Sequence, residues 1–273
     1  MARTASTLVV PVGARIAADY TTVTEVPGVG ASREQLARLY TRYAVAASYC
    51  DRKDVLEVAC GAGAGLGYLA SRAARVVGGD YTDNLLRIAR RHYGARIPLV
   101  RLDAQALPFR SGAFDTVVFY EALYYLEDAD QFVREARRIL RPSGILLVCT
   151  VNPEWPDFNP SPFSRRYFSA RDLRALLTGH GFGVELHAAF PARRDSARDR
   201  LVSLIKRTAV ATGAIPRTMK GKQALKRLFF GSLAPIPAEV RDGMSTAGPL
   251  VSIVADGSAA DHKIIFATGR KTG

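Results

Sequence analysis

The stretch that most limits what this chain can become is Val55–Ala70, which reads VLEVACGAGAGLGYLA. An apolar run (Val55, Leu56, Val58, Ala59) enters a turn holding Gly61, Gly63, Gly65 and Gly67, and an apolar segment leaves that turn from Leu66. A strand that feeds through glycines into a helix makes a cradle for a small ligand. Glycine accepts positive φ and lets a ligand reach the backbone, and the helix start offers unpaired N–H groups. Glu57 lies inside the strand, four residues before Gly61, and favours a cationic or hydroxyl-bearing ligand over a bare pyrophosphate. The dinucleotide fingerprint G-x-G-x-x-G is not satisfied: counted from Gly61 and Gly63, its third glycine falls on Leu66.

Around this turn, strands and helices alternate from residue 54 onward, the signature of a parallel sheet flanked by helices. The pattern predicts strands near 54–59, 76–79, 97–102, 115–120 and 144–151, with helices near 66–74, 83–93 and 129–140. Pro142-Ser143-Gly144 supplies a stop before the fifth strand. Ser32 with Gln35 forms a capping box for an earlier helix over about 33–48, which carries Leu36, Leu39, Tyr40 and Tyr43 at helical spacing. Those are core positions, with Tyr40 and Tyr43 also able to line a ligand mouth. Ser169 with Asp172 opens a helix that Gly181 ends, and strands follow near 182–189 and over Lys263–Thr268.

Open sheets of this kind bind ligands outside the carboxyl ends of their strands. Asp80 ends the second strand nineteen residues after Gly61, a distance at which an acid accepts hydrogen bonds from ribose hydroxyls. Asp103 ends the third, where a carboxylate can accept from an exocyclic amine. Taken in order, Glu57 with its glycine turn, Asp80, Asp103, FDTVVF and EARRILRPSGILLV resemble the motifs of the class I S-adenosylmethionine-dependent methyltransferases, within them the ubiquinone- and menaquinone-type group. The match covers about residues 53–152.

The resemblance implies an α/β fold: a Rossmann-like seven-stranded methyltransferase sheet with helices on both faces and an antiparallel last strand. It implies S-adenosylmethionine as cofactor. By matching position, Glu57, Ala59 and the Gly61 and Gly63 backbone meet its methionine part, and Asp80 the ribose. Tyr81 packs beside the adenine, Asp103 and Ala104 meet the adenine edge and face, and Glu121 lies near the methionine end. Ala59 departs from the glycine many members carry, a mild change that tightens the turn. Tyr124 and Tyr125 stand where related enzymes often carry histidines, and with Tyr20 they are the candidate catalytic residues. Glu25 is a weaker candidate, and Asn152, Pro153 and Trp155 are candidates for acceptor wall.

The organisation read from sequence is an N-terminal lid and helix (1–52), a cofactor-binding core (53–190), a basic helical cap inserted between strands six and seven (191–261), and a final strand and tail (262–273). The insertion is too long for a structureless loop; Leu201, Leu204 and Ile205 mark one helix, and Leu225, Leu228 and Phe229 another. Over 193–227 eleven basic residues face only Asp195 and Asp199, within a chain of net charge +13. Arginine outnumbers lysine 31 to 7 in the chain, yet four of the lysines fall between 206 and 226. Either this is a solvated face, or it attracts an anion: a phosphorylated or carboxylated acceptor, a carrier protein, or a lipid surface.

The four histidines (His92, His180, His187, His262) are scattered without ligand spacing, so no metal is expected. Cys50, Cys60 and Cys149 have no paired spacing and read as structural thiols. No run approaches a membrane helix, and the first residues are too weak for a signal peptide, so the expected location is cytoplasmic. The expected function is methyl transfer to an O or N atom of a small molecule. A C-methyltransferase and an RNA methyltransferase stand as alternatives, the latter disfavoured because no N/D-P-P-Y motif follows strand four. A nicotinamide oxidoreductase is disfavoured by Leu66, and a non-catalytic cofactor-binding protein stays open.

Overall fold

The computed structural model describes residues 19–192, 233–254 and 257–273. Elements are α1 (Arg33–Ala47), α2 (Leu66–Ala70), α3 (Asp83–Tyr93), α4 (Ala129–Ile139) and α5 (Ala170–Gly179). The strands are β1 (Gly30–Ala31), β2 (Asp54–Val58), β3 (Arg75–Asp80), β4 (Leu99–Arg101), β5 (Phe114–Tyr120), β6 (Leu140–Val151), β7 (Phe182–Pro191), β8 (Ala234–Pro235), β9 (Val251–Ser252) and β10 (His262–Lys271).

The main sheet runs β4-β3-β2-β5-β6-β10-β7-β9. Strands β2 to β6 are mutually parallel, and β10 is antiparallel to both its neighbours. The seven expected strands are all present in the expected sense. An eighth, β9, is added as a two-residue edge strand beside β7. Strand residues alternate between two cores, as a two-faced sheet requires. Leu56, Val117, Phe119, Leu146 and Val148 pack toward α4 and α5. Val55, Val118, Leu147 and Cys149 pack toward α1, α2 and α3.

Local chemistry explains the element ends. Ser32 Oγ accepts from the Gln35 N–H while Gln35 Oε1 accepts from the Ser32 N–H, so both ends of the capping box close. Ser169 and Asp172 do the same for α5. Helix α2 is only five residues long, shorter than the apolar spacing suggested, because the chain turns at Ser71 into β3. Pro142-Ser143-Gly144 does not stop a strand. Leu140 pairs with Phe114 and Ile145 with Thr116, so residues 141–144 bulge out of a continuous β6, with Ser143 at φ 58°.

The two helices expected in the insertion lie outside the described residues. In its described part the chain is extended where a helical cap was expected. Residues 234–235 pair with β1, and the following segment crosses the backs of α1, α2 and α3, burying Ile236 and Val240. Tyr68 Oη donates to Asp242 at 2.6 Å, and Glu239 lies 2.7 Å from Arg96 and 2.9 Å from His92. No helix among the described residues is long and apolar enough to cross a membrane.

Candidate active site

Strand order reverses between β2 and β5, the point where open α/β sheets bind ligands. A cavity of about 420 Å³ opens there at the carboxyl ends of β2, β3, β4 and β5, a volume that suits a small-molecule site of ~300–1,000 Å³.

Beyond Val58 the chain turns through left-handed residues at Ala59 (φ 57°) and Gly61 (φ 58°), both lining the cavity. Glycine is favoured at 61 on two counts: its φ is left-handed, and a Cβ there would stand 3.0 Å from Thr24 Cγ2, tighter than ordinary contact. Ala59 corrects the sequence reading. Alanine in this conformation is a strain of ~1–2 kcal/mol rather than a mild tightening of the turn. Gly65 is needed for close approach, since a Cβ there would fall 1.7 Å from Cε1 of Tyr43.

One end of the cavity gathers Asp80, Tyr81, Asp103 and Ala104 with Leu85 and Leu102. Asp80 is nearly buried; Oδ2 accepts from the Gly61 N–H and Oδ1 from the Thr82 N–H, both at 2.8 Å. Burial raises the affinity of its carboxyl for a proton, and these hydrogen bonds partly oppose that. Asp103 Oδ1 accepts from the Gln105 N–H at 2.8 Å. Tyr81 is 40% exposed and meets the Tyr20 ring edge-on at 6.4 Å.

Glu57 and Gly63 do not line the cavity. Glu57 shares the parity of Val55, so its side chain points into the α1 layer. There it is 1% exposed and accepts a 2.7 Å hydrogen bond from Tyr43 Oη. Gly63 is turned the same way, its carbonyl accepting from Tyr93 Oη at 2.7 Å. Asn152, Pro153 and Trp155 are also absent from the cavity wall. Asn152 is buried and donates to the carbonyls of Ala259 and His262, tying the end of β6 to the approach of β10. Tyr40 turns away toward Asp242, whereas Tyr43 and Glu25 do line the cavity.

The other end is lined by a face of α1 that sequence reasoning missed: Gln35, Arg38 and Arg42, alternating with Leu39 and Tyr43. Their spacing is one helical stripe, but two arginines among 31 carry no visible signal. Arg42 is buried and paired with Glu25. Facing them, Glu121 stands at the tip of β5, its Oε2 accepting from Tyr124 Oη at 3.2 Å.

The mouth is aromatic. Tyr20 packs 5.0 Å from Tyr125 and 6.2 Å from Phe163 between ring centroids, and Tyr124 stacks on Tyr167 at 4.8 Å. The Tyr20 N–H donates to Thr82 Oγ1 at 3.2 Å, which draws the entry segment across the strand tips. All three candidate tyrosines therefore reach the cavity. Burial pushes Tyr125 up to about 12 and Tyr124 well above the usual phenol range, and it also raises Tyr20. Each is a neutral phenol at neutral pH, a hydrogen-bond donor rather than a free base.

These residues fit the S-adenosylmethionine that the resemblance implies. Two carboxylates, Asp80 and Asp103, edge one end of the cavity, and the left-handed turn brings its backbone to the cavity wall. Glu57, buried just behind that turn, has one oxygen with no hydrogen-bond partner among the described residues.

Known proteins resemble this chain over the same region. A model of the methyltransferase domain matches residues 56–148. A Mycolicibacterium smegmatis protein named "Probable S-adenosylmethionine-dependent methyltransferase" is 34% identical over 166 residues, covering 59% of this chain and 63% of its own length. The fatty-acid O-methyltransferase of the same organism is 40% identical over 106 residues, covering 38% of this chain and 39% of its own. The chain thus spans less than two thirds of the length of these relatives. The crystal structure of an S-adenosylmethionine-dependent methyltransferase from Mesorhizobium loti superposes with a TM-score of 0.52 at 14% identity, covering 84% of this chain and 98% of that one, and so shares the fold. With the strand order, the strand-tip carboxylates and the glycine turn, these matches show that the chain carries the class I S-adenosylmethionine-dependent methyltransferase domain.

Proposed function

We propose that this protein moves a methyl group from S-adenosylmethionine to an oxygen or nitrogen atom of a small acceptor with an apolar body. The observation that carries the reading is a single cavity with the strand-tip carboxylates at one end and an aromatic mouth of Tyr20, Tyr81, Tyr125 and Phe163 beside it. Bound there, the cofactor would supply an already electrophilic methyl, so the protein's share is alignment and exclusion of water. Holding two reactants in line is worth ~7–11 kcal/mol of barrier. Asp80 and Asp103 would hold the adenosine part, and the Gly61 backbone the methionine part. The aromatic rings would flank an apolar acceptor, as the fatty-acid substrate named for one relative supports. An anionic acceptor drawn by the basic stretch over 193–227 is part of the same reading.

Calorimetry of the purified protein with S-adenosylmethionine and S-adenosylhomocysteine tests the cofactor; uptake of neither removes the reading. Mass spectrometry of cell extract incubated with protein and deuteriomethyl-labelled cofactor then finds the acceptor. Labelling of bulk RNA in place of a small molecule would overturn the acceptor class.

A further inference from the structure

Glu121 occupies a backbone conformation that residues with side chains avoid. It stands at φ 54°, a conformation that costs ~1–3 kcal/mol, persists only where the surroundings over-determine it, and clusters at functional sites. Its N–H donates to the Cys149 carbonyl at 2.8 Å, which fixes the tip of β5 and turns the side chain to the cavity. Of the six non-glycine residues with a left-handed φ among the described residues, Ala59 and Glu121 line the cavity, and only Glu121 brings a carboxyl to it.

The neighbours of that carboxyl come from every side. Tyr124, in the short turn after β5, donates to Oε2, and Cys149 Sγ on β6 lies 3.9 Å from Oε1. Arg42 and Arg38 face it from α1, and Glu25 from the entry segment. Tyr125 and Tyr167 complete the titratable surroundings. Arg42 is hydrogen-bonded to Glu25 and still acts on Glu121 through its charge. Burial is the largest influence on Glu121 and raises its affinity for a proton, against the pull of Arg42. A group that must keep a proton once it has taken one benefits from that shift.

We propose that Glu121 and Tyr124 form a proton-accepting pair for the incoming nucleophile, so that the acceptor is an alcohol, phenol or amine rather than a carboxylate. This rests on the methyl-transfer reading above. As the bond from the nucleophile to the methyl carbon forms, the bond to its proton breaks. That proton passes to Tyr124 Oη while the proton of Tyr124 passes to Glu121 Oε2. The electron pair of the broken carbon–sulfur bond stays on sulfur. A sulfonium cation and a carboxylate thereby become two neutral groups in a buried cavity, where charge is costly. Tyr124 cannot do this alone, because burial holds its own proton firmly.

The test has two arms. Calorimetry from about pH 5 to about pH 8 in buffers of different ionisation enthalpy counts protons released on binding. S-adenosylmethionine, which brings a positive charge into the cavity, is expected to release more protons from the wild type than neutral-sulfur S-adenosylhomocysteine does. Glu121→Gln is expected to reduce the difference, with Glu57 behind the glycine turn supplying what remains. Turnover is then followed with 1-dodecanol, dodecylamine and laurate as probes. Methylation of a protic probe is expected to fall ~100-fold or more in Glu121→Gln, and the acid limb of its pH profile to disappear. Tyr124→Phe is expected to slow the protic probes while leaving cofactor affinity intact. Equal proton release by the two cofactor forms in the wild type, an undiminished difference in Glu121→Gln, or turnover of laurate alone overturns the proposal while leaving the cofactor reading standing. Binding of neither cofactor form overturns both.

Discussion

Glu57→Gln isolates the consequence of burying a carboxyl behind the glycine turn. Glu57 keeps one hydrogen bond, from Tyr43, and its second oxygen has no partner among the described residues. Removal from water pushes it up to about 8 from an ordinary 4.5, with the Tyr43 bond and Arg42 opposing the shift and Asp80 adding to it. Between those two values the folded chain holds a proton that the unfolded chain has released. Stability therefore falls as pH rises through that window and levels off above it. At ~1.4 kcal/mol per pH unit, the window from 4.5 to about 8 sets a ceiling of ~5 kcal/mol. Glutamine keeps the oxygen that accepts from Tyr43 and has nothing to titrate. In denaturant unfolding of the ligand-free protein, the variant should match the wild type near pH 5 and exceed it by ~2–5 kcal/mol near pH 8. Parallel stability curves for the two proteins across that range would refute the reasoning.

Three further outcomes follow from the same geometry. Gly65→Ala drives a methyl group into the Tyr43 ring, displaces it from Glu57 and should cost ~3 kcal/mol in thermal unfolding. Ala59→Gly relieves a left-handed alanine worth ~1–2 kcal/mol against ~0.5–1 kcal/mol of added chain entropy, so its melting temperature should rise slightly. Arg42→Ala removes the buried partner of Glu25 and the cation facing Glu121, and should destabilise by on the order of 3 kcal/mol in denaturant titration, with Arg42→Lys recovering only part of the loss.

The capping pairs were legible in the sequence because their partners are close in the chain. Ser32 and Gln35 cap their own helix, and so do Ser169 and Asp172. Asp80 was legible as the acid that ends a strand, and its bond from the Gly61 N–H comes from the pairing of β2 with β3. The residues misread depend on contacts across the fold. Asn152 looked like acceptor wall and instead bonds carbonyls more than a hundred residues away. Glu57 belongs to the right motif, but Tyr43 on α1 decides which way it is satisfied.

By itself the sequence determined the order of strands and helices, the glycine turn and the carboxylates at the strand tips. Hydrophobic period, capping and turn chemistry act over a few residues and leave a readable pattern. Only the tertiary structure decided what faces the cavity. It placed the stripe of Gln35, Arg38 and Arg42 against Glu121, forced Ala59 and Glu121 into left-handed backbone, and closed the entry segment over the strand tips with Tyr20. Those outcomes follow from packing one element on another, and side-chain direction at a packed surface is set by the neighbour as much as by the residue itself.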